Sequence, residues 1–158
     1  MTTNIPSHLE FRLADKDSVQ MDETEIINFL EQPLIMRIGL IDRRDKFPLV
    51  HPVWYYYDQG KFFVATYRDG QKAKSLRQNP ALYFLVDSDP ADGPPLGVRG
   101  KAKVSVVDDA EYATRVTVRN IIRYLGSLDG KAAQKIKETG KESCVLEITP
   151  LYIASWKF

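Results

Sequence analysis

Cysteine is nearly missing from the 158 residues: Cys144 stands alone. A single thiol excludes an intramolecular disulfide and any multi-thiolate zinc site. In the run Cys144-Val145-Leu146 it reads as a small buried hydrophobe. Histidine is almost as scarce, and the two present, His8 and His51, have no metal-ligand spacing, so no metal is expected. An excess of either charge is missing too. The 22 Lys and Arg against 21 Asp and Glu leave a formal charge of +1, which excludes a chain whose main work is to neutralise nucleic-acid phosphates but leaves room for one local basic site. No stretch approaches the roughly 20 apolar residues of a membrane span. The opening Met1-Thr2-Thr3-Asn4-Ile5-Pro6 has neither the basic start nor the apolar core of a secretory signal. No nucleic acid and no membrane partner are therefore expected, and a cytoplasmic location. The G-x-G-x-x-G, G-x-x-x-x-G-K-[ST] and G-x-S-x-G patterns are also absent, which removes a Rossmann fingerprint, a P-loop and a nucleophile elbow. The carboxylate pairs lie in turns or helix starts and read as solvated caps.

What is present is an ordinary globular composition, 44% apolar and 27% charged, over a length that suits one domain. Residues 1–20 are polar and aperiodic and read as a loose arm; 21–158 read as one domain. Asp22 caps a helix with an acidic first turn and an apolar stripe of Ile26, Ile27, Phe29 and Leu30, and Pro33 follows its end. Strand period then takes over. Strands are predicted over 34–41, 48–57, 61–66, 81–86, 96–107 and 142–156, with Asp58-Gln59-Gly60 as a hairpin turn. Helices are predicted over 68–78, from the Asp108-Asp109 cap to Gly126 with a stripe of Tyr112, Val116, Ile121, Ile122 and Leu125, and over 131–139. The strands over 34–66 are apolar or aromatic on both faces rather than alternating, so both faces should be covered. A mainly antiparallel β-barrel with peripheral helices, its outside meeting a second copy in a homodimer, satisfies that. Pro52 within a strand predicts an edge or a bulge.

The segment from Val64 to Pro80 is the informative one. A strand ends in Thr66, a glycine follows, and a short helix opens with Lys72 and Lys74 in its first turns. Unpaired N–H groups at a helix start attract anions, the lysines add full charge, and Thr66 or Tyr67 adds a hydroxyl. The chemistry suits a phosphate monoester; the same residues also read as a solvated basic helix face. Beside it, His51-Pro52-Val53-Trp54 offers backbone and apolar lining of the kind a flat aromatic cofactor needs; Val53 alone reads equally as barrel core.

Pro48-Leu49-Val50-His51-Pro52-Val53-Trp54, Phe63-Val64-Ala65-Thr66, Lys72-Ala73-Lys74-Ser75-Leu76-Arg77-Gln78-Asn79-Pro80 and Gly97-Val98-Arg99-Gly100-Lys101-Ala102 together resemble the pyridoxamine-phosphate-oxidase-like family of FMN-binding split barrels, over about residues 25–158. The resemblance implies a mainly β fold, a six-stranded antiparallel split β-barrel, and a homodimer with two cofactor sites at the interface. It places the flavin ring along His51, Pro52, Val53 and Trp54 beside Ala65 and Thr66, and the phosphate near Thr66, Lys72 and Lys74, with Arg68 a weaker candidate. Trp156 would reach a ring held by the other subunit. Gln71 stands where a basic residue often precedes the family's lysine, so the phosphate grip is altered and Lys74 is the expected compensation. His51 stands where the oxidase proper has arginine, and reads as a flavin-edge group or as a satisfied core histidine. The arginine-rich C-terminal substrate segment of a true pyridoxamine phosphate oxidase is not found before Phe158. The resemblance thus implies an FMN-dependent oxidoreductase acting on another small organic substrate, with no side chain nominated as acid or base. A deazaflavin-dependent reductase on the same fold, to which Arg119-Asn120-Ile121-Ile122-Arg123-Tyr124-Leu125-Gly126 is loosely similar, and a non-catalytic flavin- or haem-binding module are the alternatives.

Overall fold

The computed structural model describes residues 8–158, so the first seven residues of the expected arm lie outside the described residues. In chain order the elements are β1 (Glu10–Leu13), α1 (Glu23–Leu30), β2 (Met36–Ile41), β3 (Pro48–Val53), β4 (Tyr56–Asp58), β5 (Lys61–Tyr67), α2 (Gln71–Gln78), β6 (Ala81–Asp87), β7 (Leu96–Val107), α3 (Ala110–Leu125), α4 (Lys131–Thr139), β8 (Ser143–Pro150) and β9 (Tyr152–Lys157). Local chemistry sets several of these bounds. Asp22 accepts the Glu25 N–H at 2.8 Å while Glu25 accepts the Asp22 N–H at 2.9 Å, a reciprocal cap that starts α1. The Asp109 carboxylate accepts the Tyr112 N–H at 2.9 Å to start α3, and Gly126, at φ +80°, stops it in the left-handed conformation. Gln59 and Gly60 both take positive φ in the β4–β5 turn, as that two-residue hairpin requires.

The strands form one sheet in the order β3-β2-β6-β7-β8-β5-β4, with β9 on β7 and β1 on β9. Its two end strands, β3 and β4, are separated in sequence only by Trp54 and Tyr55. Three residue steps reach at most about 11 Å, so the sheet curls until its edges nearly meet. That is the split barrel, antiparallel throughout except for the β1–β9 pair. Pro52 lies in β3, an end strand that pairs only with β2, where a missing N–H costs no ladder bond.

Six predicted runs become nine strands for three reasons. The 48–57 run breaks at Trp54-Tyr55, where the chain crosses from one edge of the sheet to the other. The 142–156 run breaks at Leu151. There β7 pairs with β8 from Ala102↔Pro150 to Val107↔Val145 and with β9 from Leu96↔Lys157 to Arg99↔Ala154, two registers that differ by one residue, so the β8–β9 side carries a bulge. Finally, the arm expected to be loose is tied down from Glu10 onward. β1 runs parallel to β9, and Val19 and Lys157 exchange backbone hydrogen bonds at 2.9 Å. The free edge of β9 supplies partners that no periodicity in 8–20 reveals.

The barrel interior is one cluster built on Ile38, Phe62, Phe84, Val98, Leu146 and Ile148, closed by α1 through Ile26 and Leu30 and by α2 through Ala73 and Leu76. A second cluster lies outside the barrel, where Ala113 and Val116 of α3 pack on Tyr56 and Val145. The buried stripe of α3 differs from the predicted one. It is Ala113, Val116, Thr117, Asn120 and Ile121, whereas Ile122 and Leu125 are exposed. The outer face of β2, β6 and β7 is bare in the single chain, with Ile41, Tyr83 and Leu151 exposed around an apolar groove of about 500 Å3. Among the described residues no helix is long and apolar enough to cross a membrane.

Candidate functional site

At the C-terminal end of β5 the sheet passes into α2, α3 lies across the outer face of β5 and β8, and α4 packs on α3. Between them is a pocket of about 240 Å3. Five of the residues singled out in the sequence line it: Trp54, Ala65, Thr66, Tyr67 and Lys72. Trp54 is fixed by stacking on Tyr124 of α3, with centroids 4.8 Å apart and planes 6° from parallel. The Tyr124 hydroxyl is itself held, donating to the Leu34 carbonyl at 2.6 Å and accepting the Tyr55 N–H at 3.3 Å. One wall of the pocket is therefore rigid.

Lys72 is the only charged side chain in the lining. Burial pushes its pKa below the ordinary 10.5, as expected for an ammonium taken from water without a counter-charge. It sits in the first turn of α2, whose cap residue, Gly70, supplies no side-chain hydrogen bond and whose first intrahelical bond is Lys74 N–H to the Gly70 carbonyl at 3.1 Å. The Lys72 ammonium, at the start of the helix, gives the pocket a positive end. Gln71 is not isolated from charge: its Oε1 accepts from Arg43 Nε at 3.2 Å, and the Arg43 backbone N–H is held by Ser75 at 3.1 Å. A guanidinium from the β2–β3 turn thus stands beside the position that lacks a basic side chain.

The other sequence candidates lie elsewhere in this chain. His51 is half-buried on β3 opposite Ile38, its Nε2 buried without a partner; burial first, and the Lys72 charge second, push its pKa down. Val53 belongs to the barrel core, and Pro52 is exposed on the outward side of the edge strand. Arg68 donates to the Lys141 carbonyl and lines a separate depression with Asp69 and Lys141. Lys74 is half-buried outside the pocket lining. Trp156 lies against Gly97, where an added Cβ would come within 2.4 Å of its ring, and lines a different pocket of about 130 Å3 with Arg99 and Phe158. Among the described residues no group of three or more His, Cys, Asp or Glu side chains is placed to hold a metal ion.

Sequence reasoning gave no pocket role to Thr117 of α3, Thr139 at the end of α4 or Ser143 at the start of β8, and named Asn120 of α3 only within the 119–126 segment; all four are in the lining. The signal for Thr117 and Asn120 was there: polar residues at i and i+3 inside the stripe that carries Ala113, Val116 and Ile121. The pocket is thus positive at the α2 end, flat and aromatic at Trp54, and neutral and polar along α3, α4 and β8. Such a site holds an anionic group at one end and a planar or neutral polar group beyond it.

A family model described as pyridoxamine 5'-phosphate oxidase matches residues 23–157. Among solved structures, a conserved hypothetical protein from Mycobacterium tuberculosis is 24% identical with a TM-score of 0.75, covering 90% of this chain and 88% of its own. An F420 reductase is 24% identical at a TM-score of 0.61, covering 80% of this chain and 94% of its own. HutZ, the heme storage protein from Vibrio cholerae, is 18% identical at 0.60, covering 81% and 89%. At these identities the likeness establishes the fold. No curated protein matches the chain.

Proposed function

The chain belongs to the pyridoxamine 5'-phosphate oxidase family, and from that premise we propose that it binds FMN as a homodimer and is an FMN-dependent oxidoreductase acting on a small organic substrate. The observation that carries this reading is Lys72, an ammonium desolvated by the fold at an uncapped helix start and given no hydrogen bond or ion pair by the described residues. A phosphate monoester supplies the missing partner, and Arg43 beside Gln71 adds the second positive charge. Thr66 lies next to the phosphate, and Trp54, held by Tyr124, sets the plane against which a ring rests. The residues fit the phosphate end of the cofactor. The ring end needs more room than one chain provides, because about 240 Å3 is less than the roughly 300 Å3 at which pockets for drug-sized ligands begin. The bare outer face of the barrel, where Ile41, Tyr83 and Leu151 are exposed, is the surface on which a second copy would sit in this reading, and His51, Pro52 and Trp156 are the residues proposed for the part of the site the two copies share. When bound, the flavin supplies the electron chemistry, and the chain supplies binding, orientation and electrostatics.

The test is the visible spectrum of the purified protein, followed by fluorescence titration with FMN and with F420. The visible absorption bands of an oxidised flavin, with saturable FMN binding to a dimer in sedimentation, support the reading. An exclusive preference for F420, a haem Soret band, or a monomer at micromolar concentration overturns it.

A further inference from the structure

Gly39 stands in the middle of β2, and nothing inside the chain requires a glycine there. Its φ lies outside the left-handed region, and an added Cβ would meet only the Tyr83 carbonyl oxygen at 3.9 Å, an ordinary contact. Gly97 and Gly100 on β7 differ. A Cβ there would come within 2.4 Å of the Trp156 ring and 2.2 Å of the Tyr152 carbonyl, so the fold itself selects them. Glycine weakens a strand interior, and without an internal cause it marks the close approach of a ligand or another backbone.

That approach comes from outside the barrel. Gly39 pairs with Val50 on one side and Tyr83 on the other, and directly paired residues point to the same face. It is the outer face, where Val50 is 68% and Tyr83 39% exposed. The three residues thus make a row of knob, hole and knob. Ile41, two residues along β2, and Leu151, in the wall of the same groove, extend the patch. The four exposed side chains leave open roughly 400 Å2 at the scale of large side chains. A standard interface takes roughly 800 Å2 from each partner, a little over half of it apolar, so the patch supplies most of that apolar share. The cations of this face stand off the row. Arg37 is paired with Asp87 at 2.6 Å, and Lys101 and Lys103 lie on β7, two strands from β2, at the place of the polar rim an interface keeps. A row centred on a hole is self-complementary: a two-fold axis through Gly39 sets the hole against its own copy and the flanking knobs against each other, an isologous contact.

We propose that a second copy of this chain seats on the row Val50, Gly39 and Tyr83, with the two-fold axis at Gly39. This places the homodimer of the function proposed above and rests on that reading. Sedimentation of the flavin-free protein over a micromolar concentration series tests it. Gly39→Ala is expected to weaken self-association roughly tenfold, and Gly39→Val at least roughly a hundredfold. Far-UV circular dichroism controls for folding, since a β-branched residue suits a strand interior better than glycine. Should Gly39→Val fail to fold, Tyr83→Glu, at an exposed position, carries the test: it sediments as a monomer, whereas Ile122→Glu, at 48% exposure on α3, remains a dimer. Gly39→Val or Tyr83→Glu folded and as dimeric as the wild type overturns the proposal, and so does a dimer lost equally to Ile122→Glu. A wild type that is monomeric at micromolar concentration leaves the face to another occupant and overturns the proposal together with the homodimer. If the variants dissociate as expected but the wild type binds no FMN, the flavin reading falls and the interface stands; if FMN binds and the variants stay dimeric, the placement alone falls.

Discussion

Replacing Lys72 by methionine separates a ligand-binding role from a structural one, because the two roles move stability in opposite directions. In the free protein the ammonium is desolvated without a counter-charge, and its pKa lies below 10.5 for that reason. The unfolded chain then holds its proton more tightly than the folded one. Stability is therefore reduced at neutral pH and recovers as pH rises from the lowered folded value towards 10.5. Lys72→Met keeps the stem that packs at the start of α2 and removes the buried charge. The free variant is expected to melt at or above the wild-type midpoint near pH 7, with a flatter rise towards alkaline pH. Phosphate binding moves the other way. A hydrogen bond to a charged group contributes about 1.5–3 kcal/mol, so the FMN dissociation constant rises roughly ten- to a hundredfold, read by quenching of flavin fluorescence. Riboflavin, which lacks the phosphate, loses little. A variant that melts lower and binds FMN as the wild type does would show Lys72 to be a packing residue, and the phosphate assignment would go with it.

Three further outcomes test the fold and its charges. Gly100→Ala places a Cβ 2.2 Å from the Tyr152 carbonyl and 3.0 Å from the Phe84 ring; the backbone at the bulge must shift, at a cost of about 1–3 kcal/mol, and calorimetry should show the midpoint falling by at least about 2 °C. Asp22→Ala removes the side-chain half of the α1 cap, the bond accepted from the Glu25 N–H, and costs about 1 kcal/mol, seen as a lower urea midpoint at unchanged slope. The Arg44 guanidinium and N–H hold the Asp42 carboxyl down from 3.8 to about 2, so its contribution is present above pH 3.8 and lost as pH falls towards 2. Asp42→Asn should flatten that acid limb in urea titrations, and an unchanged limb would assign it to other carboxylates.

Legibility in the sequence followed the range of the interactions. β7 and α4 run over 96–107 and 131–139 as their periods predict, because alternation and a helix stop are local signals. The break at Trp54-Tyr55 and the bulge at Leu151 are set by where the sheet must turn, which residues 48–57 and 142–156 do not record. β1 exists only because β9, more than a hundred residues away, offers an edge. The site divides in the same way. Ala65, Thr66 and Lys72 fall within eight consecutive residues, and Trp54 lies just beyond the next strand, so strand-then-helix reasoning finds them. Thr117, Asn120, Thr139 and Ser143 come from α3, α4 and β8 and meet the pocket only through packing. On α3 the apolar count favoured Ile122 and Leu125, but the helix is rotated to bury Thr117 and Asn120, so the local pattern gives way where the pocket is.

The distribution of unpaired buried polar atoms gives the same location without reference to any motif. Among the described residues such side-chain atoms occur on His51, Tyr57, Arg68, Thr117, Asn120 and Arg123. Arg123 has an evident structural task, since its guanidinium also donates to the Leu30 and Gln32 carbonyls at 2.6 and 2.5 Å and caps the end of α1. Tyr57 lies in the barrel core. Arg68 likewise donates to the Lys141 carbonyl and lines a separate depression. Of the remaining three, Thr117 and Asn120 belong to the pocket wall and His51 is within reach of the Lys72 charge. Each such atom costs about 1–3 kcal/mol, against a total stability of roughly 5–15 kcal/mol for a domain. Left unpaired in the free chain, the atoms near the pocket lower stability. A ligand that pairs with these atoms recovers it, so tight binding and a higher melting midpoint are two readings of one interaction.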